Sequence, residues 1–231
     1  MATNRLVLWD IDHTLIETGG VGREVFADAF AQVTSTPMKA MAAVSGRTEL
    51  VIFGETLDLH GIPHSDEHFE RFIEIQAQGY EERAHELHQR GRALPGAHSA
   101  LQALNRLAGV AQSVLTGNTR ASARAKLKIF GLEQYVDLDI GAYGEDNPIR
   151  AHLVAIARDR ARLKSGLVYS PKTTVLIGDT PQDVRAGRDG GAHVIGIASG
   201  NSSTTDLKAA GADIVFPDLT DSAALIRAVT A

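Results

Sequence analysis

Short apolar runs that stop abruptly at small or acidic residues constrain the architecture of this chain most. Leu6-Val7-Leu8-Trp9 runs into Asp10, Val114-Leu115 into Thr116, and Thr174-Val175-Leu176-Ile177 into Gly178-Asp179. His193-Val194-Ile195-Gly196-Ile197 and Ile214-Val215-Phe216 follow. Continuous β-branched and leucine runs of this length read as strands buried on both faces, since a half-exposed strand alternates apolar with polar residues. Helix-like patterns lie between them, near 97–107, 122–130, 149–163, 183–188 and 221–229. Strand and helix in alternation predict an α/β fold, a doubly wound parallel sheet of Rossmann-like kind. Functional groups in such sheets gather in the crevice at the carboxyl ends of the strands. Asp10, Thr116 and Asp179 all fall there on this reading.

One stretch breaks the rhythm. From about 20 to 92 no strand-like run occurs, only helical patterns near 23–33, 49–60 and 66–89. Phe69, Phe72, Ile73, Gln76 and Tyr80 follow helical spacing and read as a core-facing stripe. Roughly 70 residues is far beyond an ordinary crossover, which predicts an all-helical domain inserted after the first strand. Leu94-Pro95-Gly96 marks the return to the sheet. The expected division is an α/β core of 1–19 and 93–231 and a helical domain of 20–92.

The strand ends carry the chemistry. Asp10 and Asp12, two apart just past a strand, can both face the crevice. One carboxylate can then attack phosphorus while the other handles the leaving-group proton. Thr14 offers a hydroxyl that can lock the loop or tune the second acid. Gly178-Asp179-Thr180-Pro181-Gln182-Asp183 brings a second acidic pair to another strand end. Hard cations such as Mg²⁺ prefer such oxygens, and Asp10 and Asp179 can meet across the sheet to hold one. Asp183 is equally explained as the cap of a helix beginning near Pro181. In Thr116-Gly117-Asn118, a hydroxyl and the backbone N–H groups that open a helix form an anion site, or else Thr116 or Asn118 caps that helix.

In this order and spacing the sequence resembles the haloacid dehalogenase-like hydrolase superfamily, in its branch of phosphoglycolate phosphatases and β-phosphoglucomutases. The family's Asp-x-Asp-x-Thr motif is matched by Asp10, Asp12 and Thr14, its strand-end Thr or Ser by Thr116, and its Gly-Asp with a later Asp by Gly178, Asp179 and Asp183. The helical insertion occupies the family's usual cap position. The resemblance implies that Asp10 forms an aspartyl-phosphate and that Asp12 acts first as general acid, then as general base. It implies Mg²⁺ held by Asp10, the backbone carbonyl of Asp12 and Asp179, with Asp183 supporting that shell and Thr116 binding the phosphoryl group. Asp12 favours phosphate esters, because dehalogenases and phosphonoacetaldehyde hydrolases of the family generally lack this second acid.

The chain departs from the pattern where the family supplies a lysine. That region reads Gly144-Glu145-Asp146-Asn147-Pro148-Ile149-Arg150, and Arg150 is the candidate cation, since a guanidinium can pair with the nucleophile and with phosphate oxygens. The alternative is a solvated arginine on a helix surface; Lys164 sits at the far end of the following helix. Ser45-Gly46-Arg47-Thr48 is similar to a cap loop that presents arginine to a substrate's distal anion in some relatives, so Arg47 is a candidate selector for a second negative group. Its alternative is a solvated Arg47 beside a capping Thr48. Gly19, Gly20 and Gly22 supply either a cap hinge or ordinary turns. His60, His64 and His68 are four apart, but Gly61 and Pro63 interrupt any common helix, which predicts a solvated turn. His13 stands where relatives commonly have glycine.

A net charge of −5 lacks the basic footprint of a nucleic-acid binder, so positive potential must be local. Cysteine is absent, which excludes disulfides and thiolate chemistry, and no apolar run is long enough for a membrane span. The expectation is a cytoplasmic Mg²⁺-dependent phosphatase acting on a small phosphorylated metabolite, without nucleic-acid or membrane partners; no motif speaks to oligomeric state. A phosphotransferase or sugar-phosphate mutase would use the same acids, and a non-catalytic phospho-ligand binder would keep the fold. A signalling receiver domain would be about half this length and without the insertion.

Overall fold

The computed structural model describes residues 4–231, so the first three positions of the expected 1–19 segment lie outside the described residues. The order is β1 (Arg5–Trp9), β2 (Ile16–Glu17), α1 (Val21–Thr34), α2 (Glu49–Leu59), α3 (Asp66–Glu82), α4 (Ala84–Arg90), β3 (Arg92–Ala93), α5 (Ala97–Asn105) and β4 (Val110–Val114). There follow α6 (Arg120–Ile129), α7 (Arg150–Ser165), β5 (Thr174–Gly178), α8 (Pro181–Gly190), β6 (His193–Ile197), α9 (Thr204–Ala210), β7 (Ile214–Phe216) and α10 (Ser222–Thr230).

Five strands form one wholly parallel sheet in the order β4-β1-β5-β6-β7. Leu6, Val7, Leu8 and Trp9 on the central β1 are fully buried. Val7 and Trp9 join one hydrophobic cluster and Leu6 and Leu8 the other, which is why the run from Leu6 to Trp9 is apolar throughout. Trp9 pairs in register with Val114 on one side and with Ile177 on the other. The three strands therefore end together, and the residues that follow them share one edge.

Between the strands of the two-residue β2–β3 ladder, helices α1 to α3 pack around Phe26, Phe30, Phe53 and Phe72, while α4 buries Leu87 in the cluster beneath the sheet. The Phe53 and Phe72 rings lie 4.5 Å apart. Burying each phenylalanine contributes on the order of 2 kcal/mol, so this helical layer carries its own core. The fold is thus the expected α/β sheet with an all-helical cap.

Three local expectations need correction. The strand expected at Val114-Leu115 begins at Val110, because Gln112 and Ser113 hide polar atoms inside it. Gln112 accepts from Trp9 Nε1 at 3.1 Å, and Ser113 Oγ donates to the Asp137 carbonyl at 2.6 Å. The helix expected over 66–89 breaks at Arg83, whose backbone leaves helical geometry while its guanidinium pairs with Glu24 and Asp28 of α1. Helix α9 escapes the sequence pattern because its seven residues bury only Leu207.

Candidate active site

Asp10 directly follows β1 and donates its N–H to the Ile177 carbonyl at 2.8 Å, which ties the first loop to the neighbouring strand. Asp179 directly follows β5, and Thr116 lies two residues past β4. The carboxylates of Asp10, Asp179 and Asp183 are buried and offer oxygens that all lie within 4.8 Å of one another. Thr14, fully buried, sets its hydroxyl 3.4 Å from Asp10 Oδ2 and 3.3 Å from Asp179 Oδ1.

Arg150 opens α7 and points into this cluster. One guanidinium nitrogen, Nη2, donates to Asp10 Oδ1 at 2.7 Å and to Asp183 Oδ1 at 2.6 Å. It is no solvated helix residue, for its side chain is 9% exposed. Asp183 does two things at once: its Oδ2 accepts from the N–H and hydroxyl of Thr180 at 3.0 and 2.6 Å, closing a capping box on α8. Asp183 therefore caps α8 while its other oxygen faces the acidic cluster.

Three carboxylates face one guanidinium in a dry site, and their proton affinities register it. Burial first, then the Asp183 carboxylate, pushes Asp10 well above the usual carboxylate range against the pull of Arg150. Burial and Asp183 likewise push Asp179 up to about 7. Arg150 is driven upward by Asp183 and Asp10, which outweigh its burial. Clustered carboxylate oxygens in need of a cation match the donor chemistry of a hard divalent ion.

The loop after β4 reaches the second acid of the first motif. Asn118 donates from Nδ2 to Thr116 Oγ1 at 2.8 Å and to Asp12 Oδ2 at 2.7 Å. Neither Thr116 nor Asn118 caps α6; Thr119 does, accepting from the Ser122 N–H at 3.3 Å. The Thr116 hydroxyl and the Asn118 amide are thereby left facing the crevice. Gly117 has no room for a side chain, because a Cβ there would sit 2.0 Å from the Arg47 carbonyl oxygen. Its own carbonyl accepts from the Glu49 N–H at 2.7 Å, so the helical cap rests on this loop.

Arg47 borders the cavity, but its guanidinium is paired with Glu55 of α2, with Nη1 donating to Oε2 at 2.6 Å. Thr48 occupies the first cap position of α2 without capping it, and its buried hydroxyl has no partner among the described residues. Neither a solvated arginine nor a capping threonine is found. His13 adopts a left-handed backbone (φ 64°), lines the cavity mouth, and accepts at its carbonyl from Ser199 Oγ at 2.6 Å. His60 is half-buried and holds a local turn, accepting from the Lys39 N–H at 2.8 Å. Lys164 pairs with Asp137 and Asp139, away from the acids.

Sequence reasoning missed a buried cation. Lys126 of α6 donates to both oxygens of Asp12, at 2.9 and 2.8 Å, and to Asn118 Oδ1 at 2.6 Å. The Tyr80 ring covers it at 5.1 Å. Burial works to raise the Asp12 carboxyl, but the charge and hydrogen bonds of Lys126, aided by Asn118, hold it below its usual value. Gln76 and Glu49 were missed as well: Gln76 Nε2 donates to Glu49 Oε1, and Gln76 Oε1 accepts from Ser122 Oγ at 2.8 Å. Two sequence signals pointed to them, namely the polar Gln76 within an apolar stripe and Ser122 and Lys126 one helical turn apart just after Asn118. Asp12, Asn118, Lys126, Tyr80, Gln76 and Glu49 line one cavity of about 610 Å³ between the sheet edge and the helical layer.

A parallel sheet with clustered carboxylates at its carboxyl edge, roofed by helices inserted after the first strand, defines a capped α/β protein with its site under the cap. The chain belongs to the haloacid dehalogenase-like hydrolases, whose family model matches residues 7–188. It is 30% identical over 218 residues to "Probable phosphatase IndB" of Dickeya dadantii, covering 91% of this chain and 88% of that one. It is 25% identical over 230 residues to the phosphoglycolate phosphatase of Nitrosospira multiformis, covering 96% of each. The crystal structure of a hydrolase from Pseudomonas syringae shares the fold, with a TM-score of 0.67 and 21% identity over 99% of this chain and 100% of that one. Among the described residues no helix is long and apolar enough to cross a membrane.

Proposed function

We propose that the chain is a Mg²⁺-dependent phosphatase that hydrolyses a small phosphorylated metabolite through an aspartyl-phosphate on Asp10. The observation that carries this reading is the convergence of Asp10, Asp179 and Asp183 around Arg150 at one sheet edge. The division it uses is a core of 1–19 and 93–231 and a cap of 20–92 that closes over the bound ester.

On this reading an oxygen of Asp10 attacks phosphorus, the bond to the leaving oxygen breaks, and Asp12 delivers a proton to that oxygen. Asp12 then takes a proton from water as the water attacks phosphorus, releasing inorganic phosphate and restoring Asp10. Arg150, the Thr116 hydroxyl and the Gly117 N–H hold the equatorial oxygens, where charge is spread during transfer, while the Asn118 amide keeps Thr116 and Asp12 in position beside them. Thr14 keeps Asp10 and Asp179 in place. Asp10, Asp179 and the Asp12 carbonyl would hold the Mg²⁺, with Asp183 behind them, and the ion would supply the remaining positive charge that the phosphate requires. The arriving phosphate opposes Lys126 at Asp12 and raises that acid's proton affinity when a proton is needed.

The test is a phosphate-release screen over a panel of phosphorylated metabolites, with the Asp10→Asn variant as the blank. Release that depends on Asp10 and Mg²⁺ supports the reading, and undiminished release by the variant overturns it. Transfer to a second sugar hydroxyl without free phosphate would identify a mutase instead.

A further inference from the structure

The cavity wall farther from the sheet is built by the cap, and its polar groups are nearly all dry. Glu49 is 8% exposed, Lys126 4%, and Gln76 and Tyr80 2% each. Gln76 is locked from both ends, by Glu49 on one side and Ser122 on the other. Its amide therefore holds Glu49 Oε1, while Glu49 Oε2 has no partner among the described residues and borders the cavity with the Tyr80 hydroxyl.

Two cations near Glu49 are already matched, whereas Arg23 of α1 lines the cavity exposed and without an ion pair among the described residues. Lys126 faces three oxygens, two on Asp12 and one on Asn118. Arg47 is taken by Glu55. Glu49 is the buried charge of this wall without an ion pair among the described residues, and burial pushes its carboxyl up to about 7. A carboxylate oxygen on a mostly buried residue that opens only onto the cavity is poorly hydrated, so a ligand that supplies a donor there is favoured, whereas a second anion there meets repulsion.

We propose that Glu49 is a specificity-determining residue that selects a leaving group bearing a hydrogen-bond donor, hydroxyl or ammonium, and disfavours one bearing a second negative charge. The proposal rests on the phosphatase reading above, and it reverses the expectation from sequence that Arg47 selects a distal anion. Hydroxyl and ammonium share the chemistry that Glu49 Oε2 and Tyr80 can read; an ammonium adds an ion pair. Phe26 and Ile52 line the same cavity and leave space for an apolar linker.

The experiment compares kcat/KM for glycerol phosphate (hydroxyl donors), phosphoethanolamine (ammonium), propyl phosphate (neither) and phosphoglycolate (carboxylate), with the full chain and Mg²⁺. At least one of the first two should exceed propyl phosphate by roughly tenfold or more, with phosphoglycolate the poorest. Which of the two leads tells hydroxyl from ammonium. In Glu49→Gln the preference for the donor-bearing ester over phosphoglycolate should shrink by about tenfold or more. Phosphoglycolate as the best substrate, or ratios unchanged in the variant, overturns the proposal while leaving the phosphatase reading intact. No phosphate release from any ester overturns both. The wild-type series decides the matter even if the variant folds poorly.

Discussion

Lys126 holds both carboxylate oxygens of Asp12, at 2.9 and 2.8 Å, from a helix that the sequence motifs never mark. The acid proposed to protonate the leaving group is thus oriented by a cation that the Tyr80 ring covers from the cap. A leaving group that departs as a stable anion needs little protonation, whereas an alkoxide needs much. Lys126→Met should therefore cut kcat/KM for alkyl phosphates by about a hundredfold and for p-nitrophenyl phosphate by far less. Equal losses on the two ester classes would mean that Lys126 only supports the fold.

Arg150 bridges Asp10 and Asp183. Its removal leaves buried carboxylates uncompensated and takes a donor from the transferring phosphoryl group. Arg150→Ala should lower kcat by about a hundredfold or more. Arg150→Lys should recover part of that loss, since a shorter chain with a single ammonium retains charge without the planar fork. Near-normal turnover in Arg150→Ala would remove the residue from the mechanism.

Glu49 gives a pH signature in stability. Its carboxyl rises from an ordinary 4.5 to about 7 on folding. The folded chain thus favours the neutral acid, so this stabilisation is complete below 4.5 and is lost as pH climbs through 7. Glu49→Gln cannot ionise and escapes that loss. Relative to the parent, the variant should gain on the order of 2–3 kcal/mol between pH 4 and pH 8, read as a melting-temperature difference that grows with pH. A pH-independent difference would show that the carboxyl is not perturbed.

Gly117 tests how the cap seats. A Cβ there would press on backbone, 2.0 Å from the Arg47 oxygen, and no side-chain rotation relieves that. Gly117→Ala should keep the cap from resting on the loop after β4, raise hydrogen exchange across 45–53, and lower kcat/KM by about tenfold or more. Unchanged exchange with unchanged activity would contradict the seating described here.

Much of this was legible because each signal was local. The run Leu6 to Trp9 had to be buried on both faces, and the acids at strand ends had to share an edge. Arg150 could be singled out because it was the cation nearest the place where the family supplies lysine. Lys126, Glu49 and Gln76 were harder to read, since their partners lie 114, 27 and 46 residues away along the chain. The partner of Arg47 was hidden for a related reason: Glu55 lies eight residues on, and only the folded loop shows that the two charges meet. The β2–β3 ladder is two residues per strand, too short to leave any periodicity.

The central claim is that Asp10 carries the phosphoryl group. It is tested most directly by mixing the protein with Mg²⁺ and a turned-over phosphate ester, quenching in acid, and mapping the added phosphoryl mass by peptide. One phosphoryl group is expected on the peptide containing Asp10, removed by hydroxylamine and absent from Asp10→Asn. Turnover with no phosphoryl group on that peptide, or with one that survives in the variant, would contradict it.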